Sequence, residues 1–181
     1  MWKQLKFVTS NSDKVREASD ILECSLDQVS GLSIDEIQTS DIKQIVTHKA
    51  QQAFEQVRCP ELGEDSGLSF TAWNGLPGPL IKWFEISVGC PGLLKMLEGF
   101  ENREAFAVCV AAVFDGQKML LAKGERRGEI ARNTRGENGF GWDVIFIPEH
   151  HEKTYAEMNF NEKNAISHRR MAFEKLNRKI K

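Results

Sequence analysis

Leu5-Lys6-Phe7-Val8, followed by Thr9-Ser10-Asn11-Ser12-Asp13-Lys14, decides how the chain begins to fold. The first four residues read as a short strand and the next six as a polar turn. Val15, Ala18, Ile21 and Leu22 then recur at helical spacing, which predicts a helix starting at Ser12 or Asp13. Strand, polar loop and helix N-terminus in that order bring backbone N–H groups and the positive end of the helix dipole to one spot. Lys14 adds a full charge, and Thr9, Ser10 and Asn11 add side-chain donors. The turn is a candidate phosphate cradle. It is not a Walker loop, because that loop's glycines and its closing Lys-Ser/Thr are missing.

Working outward, Ile34-Asp35-Glu36-Ile37 reads as a short second strand with carboxylates at its end. Ile42, Ile45, Val46, Ala50 and Ala53 form a helical stripe, with Lys49 beside its buried face. Glu64-Asp65-Ser66-Gly67 reads as a strand end turning sharply, its two acids pointing to opposite faces. A carboxylate near a phosphate loop suits Mg²⁺, which takes one or two carboxylates plus water and phosphate oxygens. Gly75-Leu76-Pro77-Gly78-Pro79 is a rigid turn, and Leu93, Leu94, Met96 and Leu97 suggest a short helix. Phe106–Phe114 and Met119–Lys123 flank Asp115-Gly116, a hairpin signal, and Gly124–Arg132 reads as a third, more polar strand. Helices interleaved with strands, then an antiparallel meander, predict an α/β or α+β chain with a mixed sheet.

The stretch from Gly136 to Arg170 carries the densest chemistry. Gly136, Gly139 and Gly141 permit sharp turns, and Phe140 and Trp142 flank Gly141 ahead of Asp143. Lys163, Ser167, His168, Arg169 and Arg170 follow. An aromatic face with clustered cations suits a flat ring bearing a phosphate tail. Ser167 is an N-cap candidate for a last helix striped by Ala172, Phe173 and Leu176. His168, Arg169 and Arg170 would then sit in its first turn, where cations oppose the dipole at a cost of up to roughly a kcal/mol each. An anionic ligand at that end would relieve the conflict.

Bulk composition narrows the function. The 181 residues suffice for a core without disulfide or metal staples. A net charge of −2 lacks the basic excess of a protein held to nucleic acid by phosphate neutralisation. Cys24, Cys59, Cys90 and Cys109 are scattered, as reduced thiols of a cytoplasmic protein would be. No signal-peptide pattern opens the chain, and its longest apolar run, Phe106–Phe114, is too short to span a bilayer.

Six pieces in order resemble the inosine triphosphate pyrophosphatases, the non-standard purine nucleoside triphosphate pyrophosphatase family. They are Thr9–Lys14, Glu64–Leu68, Gly75–Pro79 with Ile81-Lys82-Trp83-Phe84, Gly139–Asp143, Thr154–Met158, and Glu162–Asn164 through Ser167-His168-Arg169. The resemblance implies a long twisted mixed β-sheet with flanking helices, and two lobes around a central active-site cleft, in one unit over residues 1–181. It also implies a homodimer. The implied reaction is Mg²⁺-dependent hydrolysis of inosine and xanthosine triphosphates, ribo or deoxy, between the α and β phosphates.

Site roles carried over by that resemblance fall as follows. Thr9, Ser10, Asn11, Ser12, Asp13 and Lys14 would cradle the triphosphate, and Glu36 and Asp65 would hold Mg²⁺. Asp65 is the candidate base for the attacking water, with Glu64 as a rival. Lys49 and Lys163 would contact phosphate or sugar, with Ser66 beside Asp65 in the same site. Phe140, Gly141, Trp142 and Asp143 would line the nucleoside pocket, and Ser167, His168 and Arg169 would reach the base edge. Leu80, where an aromatic is common after Pro79, and Val144, where proline is usual after Asp143, depart from the family's pattern and bear on substrate preference. Two other readings remain: a Maf-like pyrophosphatase for modified nucleotides, and a nucleotide-sensing or RNA-binding module without catalysis.

Overall fold

The computed structural model describes residues 5–180. Seven strands form one mixed sheet. They are β1 (Lys6–Val8), β2 (Asp27–Val29), β3 (Glu61–Phe70), β4 (Pro77–Gly78), β5 (Glu104–Phe114), β6 (Met119–Ile130) and β7 (Phe146–Pro148). Their spatial order is β2-β1-β3-β5-β6-β7, with β4 paired to β3 off that path. β1 runs parallel to β2 and β3, and every other pairing is antiparallel. Helix α1 (Ser12–Ile21) follows β1, and α2 (Ile42–Val57) precedes β3. Helices α3 (Ile81–Ser87) and α4 (Gly89–Met96) lie between β4 and β5, and α5 (Phe160–Ile166) and α6 (His168–Ile180) close the chain.

Strand alternation places the layers. Cys109, Ala111 and Val113 of β5 pack with Phe7, Ala18, Ala172, Phe173 and Leu176, under α1 and α6. The intervening Val108, Val110 and Ala112 pack with Ile42 and Val46 of α2 on the other face. A further core, with Leu68, Phe70, Leu93, Leu97, Trp142, Phe146 and Tyr155, fills the far end of β3. Glu64, Asp65 and Ser66 lie on β3 between these cores, so the sheet carries one polar segment through the middle of the molecule.

The opening strand–turn–helix is as expected, with α1 starting at Ser12 behind an Asn11 cap. Three expectations need correction. Residues 34–37 form no strand; the second strand is Asp27–Val29. Gln56 and Gln52 of α2 accept the backbone N–H groups of Ser33 and Asp35 at 3.2 and 2.6 Å, so helix side chains take the place of a ladder. Glu64–Gly67 is no turn, because β3 pairs with β5 without a break from Glu61 to Phe70. Gly67 instead marks close approach: a Cβ there would stand 2.8 Å from the Gly78 backbone of β4. Gly124–Arg132 is no separate third strand, since β6 runs from Met119 through Ile130. Gly124 is where α6 crosses, and any side chain there would collide with the His168 carbonyl and the Ala172 nitrogen.

Candidate active site

The polar segment of β3 floors a cleft of about 520 Å³. One end is lined by Thr9, Ser10, Asn11, Lys14, Glu36, Lys49, Glu64, Asp65 and Ser66, the other by Glu85, Phe140, Gly141, Trp142, Asp143, His168 and Arg169. Seven stretches of the sequence therefore converge. A larger groove of about 1010 Å³ runs along β6 and β7 and holds none of the expected residues. Its Arg127 is already paired with Glu104 and Glu149.

At the polar end, β3 sends Glu64 and Asp65 to opposite faces, as the alternation requires. Asp65 faces α2, where Lys49 Nζ lies 2.9 Å from its Oδ2 and 2.6 Å from Glu36 Oε1. Lys82 Nζ adds a second contact to Glu36 at 3.0 Å. Burial opposes the charge on Lys49, but Asp65 and Glu36 outweigh it and hold its pKa above the ordinary lysine value. The two carboxylates thus already share one cation between them.

Glu64 faces α1 and α6. Lys14 Nζ is 2.7 Å from its Oε1, and the Ser66 hydroxyl and the Cys109 thiol donate to its Oε2, each at 3.0 Å. Burial pushes its pKa up, but Arg169 and Lys14 overcome that and depress it far below the usual carboxylate range. A carboxylate so stabilised is a poor proton acceptor, so Glu64 falls away as the rival base.

Asn11 Oδ1 caps α1 by accepting from the Asp13 and Lys14 backbone N–H groups at 2.9 and 3.3 Å. The turn therefore satisfies part of its own backbone, and its clearest offering to an anion is the Lys14 ammonium. Ser12 and Asp13 do not line the cleft, and Asp13 turns to Arg16 at 3.1 Å.

The cationic cluster at the start of α6 also differs from expectation. Ser167 Oγ accepts from the Arg170 N–H at 3.1 Å, so Ser167 is a buried cap that does not line the cleft. Arg169 is buried, bonded to Glu17, and within 3.5 Å of Glu64. Lys163 is buried too, 2.6 Å from both Glu17 and Asp143, and lies beneath the cleft lining. The anions that relieve this cationic cluster are therefore the protein's own. Glu17 is the organising residue that sequence reasoning missed; its spacing of three from Lys14 on one face of α1 was the available signal.

His168 packs against Trp142 at a ring separation of 5.2 Å and stacks on Tyr155 at 6.0 Å, the three rings forming one cluster. Burial, then Arg169 and Lys163, drive its pKa well down, so the ring is neutral. Neither ring nitrogen has a protein partner. Phe140 lies under the Lys163 ammonium, 4.7 Å from its ring centre. This end offers aromatic faces and a neutral donor–acceptor ring, which suits a heterocycle more than a phosphate.

Among the described residues, no three or more His, Cys, Asp and Glu gather as a metal cage. Glu36 and Asp65 nonetheless offer two hard oxygen ligands within reach of one cation. That is the protein share Mg²⁺ ordinarily uses. Among the described residues no helix is long and apolar enough to cross a membrane.

A family model described as the Ham1 family matches residues 5–179. An inosine triphosphate pyrophosphatase from Scheffersomyces stipitis is 42% identical over 184 residues, covering 94% of each chain. A dITP/XTP pyrophosphatase from Ignicoccus hospitalis is 41% identical, covering 96% of this chain and 95% of the other. The structure of a HAM1 protein from Coxiella burnetii superposes with a TM-score of 0.82 at 32% identity, over 97% of this chain and 98% of that one.

Proposed function

The chain belongs to the Ham1 family, and from that premise we propose that it hydrolyses inosine and xanthosine triphosphates, ribo and deoxy, to the monophosphate and pyrophosphate. The observation that carries this reading is the two-ended cleft. Lysines and acidic groups stand at one end, and aromatic rings with a neutral His168 at the other. The names of the Scheffersomyces and Ignicoccus relatives point to the same substrates.

In this reading Lys14 and Lys49 hold the triphosphate, each charge-assisted hydrogen bond contributing roughly 1.5–3 kcal/mol. Asp65 accepts the proton of the attacking water as the pyrophosphate leaves. Ser66 fixes that carboxylate, since its backbone N–H donates to Asp65 Oδ1 at 2.9 Å. Glu36 and Asp65 would hold Mg²⁺, which when bound supplies Lewis-acid neutralisation of the phosphate charge. Lys163, Glu17 and Asp143 form the buried ionic support under the Phe140–Trp142 segment. The base rests among Phe140, Gly141 and Trp142 with its edge toward His168. Stacking there contributes about 1–3 kcal/mol without distinguishing one base from another.

The unit of function is one two-lobed domain over residues 1–181, acting as a homodimer in the cytoplasm, with no stable nucleic-acid contact. Its large exposed apolar side chains among the described residues, Leu76, Trp83, Ile86, Val88, Met96 and Phe100, all fall between residues 76 and 100, which favours a protein partner on that lobe. A turnover panel of nucleoside triphosphates with and without Mg²⁺ tests the reading. Metal-dependent pyrophosphate release that is faster for inosine than for adenosine triphosphate is expected. Orthophosphate as the product, or no turnover, would overturn it.

A further inference from the structure

We propose that Gln52 and Gln56 of α2 are positioning residues for Glu36, an assignment that rests on the Mg²⁺-dependent pyrophosphatase reading above. Glu36 sits on a segment without strand partners. Among the described residues, none from 31 to 40 takes part in a backbone–backbone hydrogen bond. Main-chain pairing therefore does not fix where this carboxylate stands, and side chains of α2 take over. Gln56 accepts from the Ser33 N–H at 3.2 Å and donates to the Ser33 carbonyl at 2.8 Å. Gln52 accepts from the Asp35 N–H at 2.6 Å and donates to the Asp35 carboxylate at 3.3 Å. Lys49 completes the row, 2.6 Å from Glu36 Oε1.

The spacing explains why this row works. Lys49, Gln52 and Gln56 are three and four residues apart, which places them on one helix face. Taken backwards along α2, Gln56, Gln52 and Lys49 meet Ser33, Asp35 and Glu36 in order. Seven helical residues rise about 10.5 Å, and three extended residues cover about 10 Å, so the two runs keep pace. Across Lys49 stands Asp65, fixed on the unbroken β3–β5 pairing. Of the two carboxylates offered to the cation, one is thus set by the sheet and the other through glutamine amides. Contacts that orient a metal ligand are worth about 10–100-fold in metal affinity or activity. Neither glutamine lines the cleft, so their effect falls on the metal and leaves nucleotide recognition alone.

The test compares the unmodified protein with a Gln52→Ala/Gln56→Ala double variant. Alanine favours a helix and Gln56 is exposed, so α2 tolerates both changes, and thermal melts check this. Gln51→Ala, exposed on the same helix, is the control. Amide hydrogen exchange at Ser33 and Asp35 becomes faster in the double variant. The Mg²⁺ concentration giving half-maximal turnover of inosine triphosphate rises about tenfold, while kcat at saturating Mg²⁺ stays within about threefold. Calorimetry uses α,β-methylene inosine triphosphate, whose α–β bridge cannot be hydrolysed. Its affinity without Mg²⁺ is unchanged, and the gain on adding Mg²⁺ shrinks about tenfold. Gln56→Glu, which keeps an acceptor for the Ser33 N–H, shows part of each shift. Unchanged exchange, unchanged Mg²⁺ dependence, or equal losses of affinity with and without Mg²⁺ overturns the assignment. If the double variant does not fold, an unchanged Mg²⁺ half-saturation in Gln56→Glu does the same. If the unmodified protein releases no pyrophosphate but the Mg²⁺-dependent gain in analogue binding still shrinks in the double variant, the pyrophosphatase reading falls and this one stands.

Discussion

Lys49 Nζ lies 2.9 Å from Asp65 Oδ2, on the face of β3 opposite the one where Glu64 meets Lys14. Two adjacent acids of one strand therefore serve two different sites. Glu64 is locked into the buried ionic cluster, while Asp65 stays in the cleft beside Lys49. Asp65→Asn should lower kcat by at least about two orders of magnitude, the loss of one or two strong transition-state contacts. Its melting temperature should barely move, because the Asp65 side chain keeps 19% of its exposure, and an asparagine oxygen can still accept from the Ser66 N–H, which leaves Lys49 to rearrange. Pyrophosphate release assays beside thermal melts check this, and near-normal release would remove Asp65 from the chemistry.

Lys14→Ala should reduce kcat/KM by about ten- to hundredfold for every nucleotide alike, because an ammonium on phosphate reads no base. Inosine, xanthosine and adenosine triphosphates assayed in parallel would show it. A loss confined to one base would place Lys14 at the wrong end of the cleft.

Glu17 accepts from both Lys163 and Arg169 in the interior. Removing it by Glu17→Gln leaves two buried cations short of a partner, which should cost about 3–5 kcal/mol in urea denaturation. Burial works against the charge of Glu17, yet Arg169 and Lys163 hold its pKa below 4.5, and Glu64 is depressed further. The folded state then binds fewer protons than the unfolded one as pH falls below that value. Stability from both groups is complete above about pH 4.5 and drains in acid. The Gln variant should show a shallower acid limb in a pH series of melts.

Glu61 behaves in the opposite sense. It is buried at the start of β3 with both carboxylate oxygens unpartnered, and burial alone pushes it up to about 8. Its folded pKa exceeds its unfolded one, so stability declines as pH rises from about 4.5 to about 8. Glu61→Gln should remove that decline and stabilise the protein at alkaline pH by up to about 5 kcal/mol. Melts at pH values across this range check the slope, and an identical pH dependence in both proteins would refute it.

Local signals served well where one element decides the outcome. The β1–turn–α1 unit and the hairpin around Asp115-Gly116 depend on period and turn chemistry within a few residues. Glu36 and Lys49 ended in one cleft as the family resemblance implied, although the expected strand at 34–37 did not form. Its backbone donors are met by Gln52 and Gln56, a long-range choice with no local trace. Gly67 and Gly124 were misleading for a related reason. Each marks contact with an element distant in sequence, and a lone glycine reads the same whether it turns a strand or admits a neighbour. The α6 cluster showed the right conflict and the wrong relief, because pairing Glu17 with Arg169 requires knowing how α1 packs on α6. Glu85 offered no periodic signal, and only the folded cleft gives it a place.

The most direct test of the central claim is the phosphorus spectrum of inosine triphosphate as the protein turns it over with Mg²⁺, followed beside Asp65→Asn. Inosine monophosphate and pyrophosphate rising in equal amounts, with neither formed by the variant, is the predicted result. Inosine diphosphate with orthophosphate, or products formed equally fast by Asp65→Asn, would contradict it.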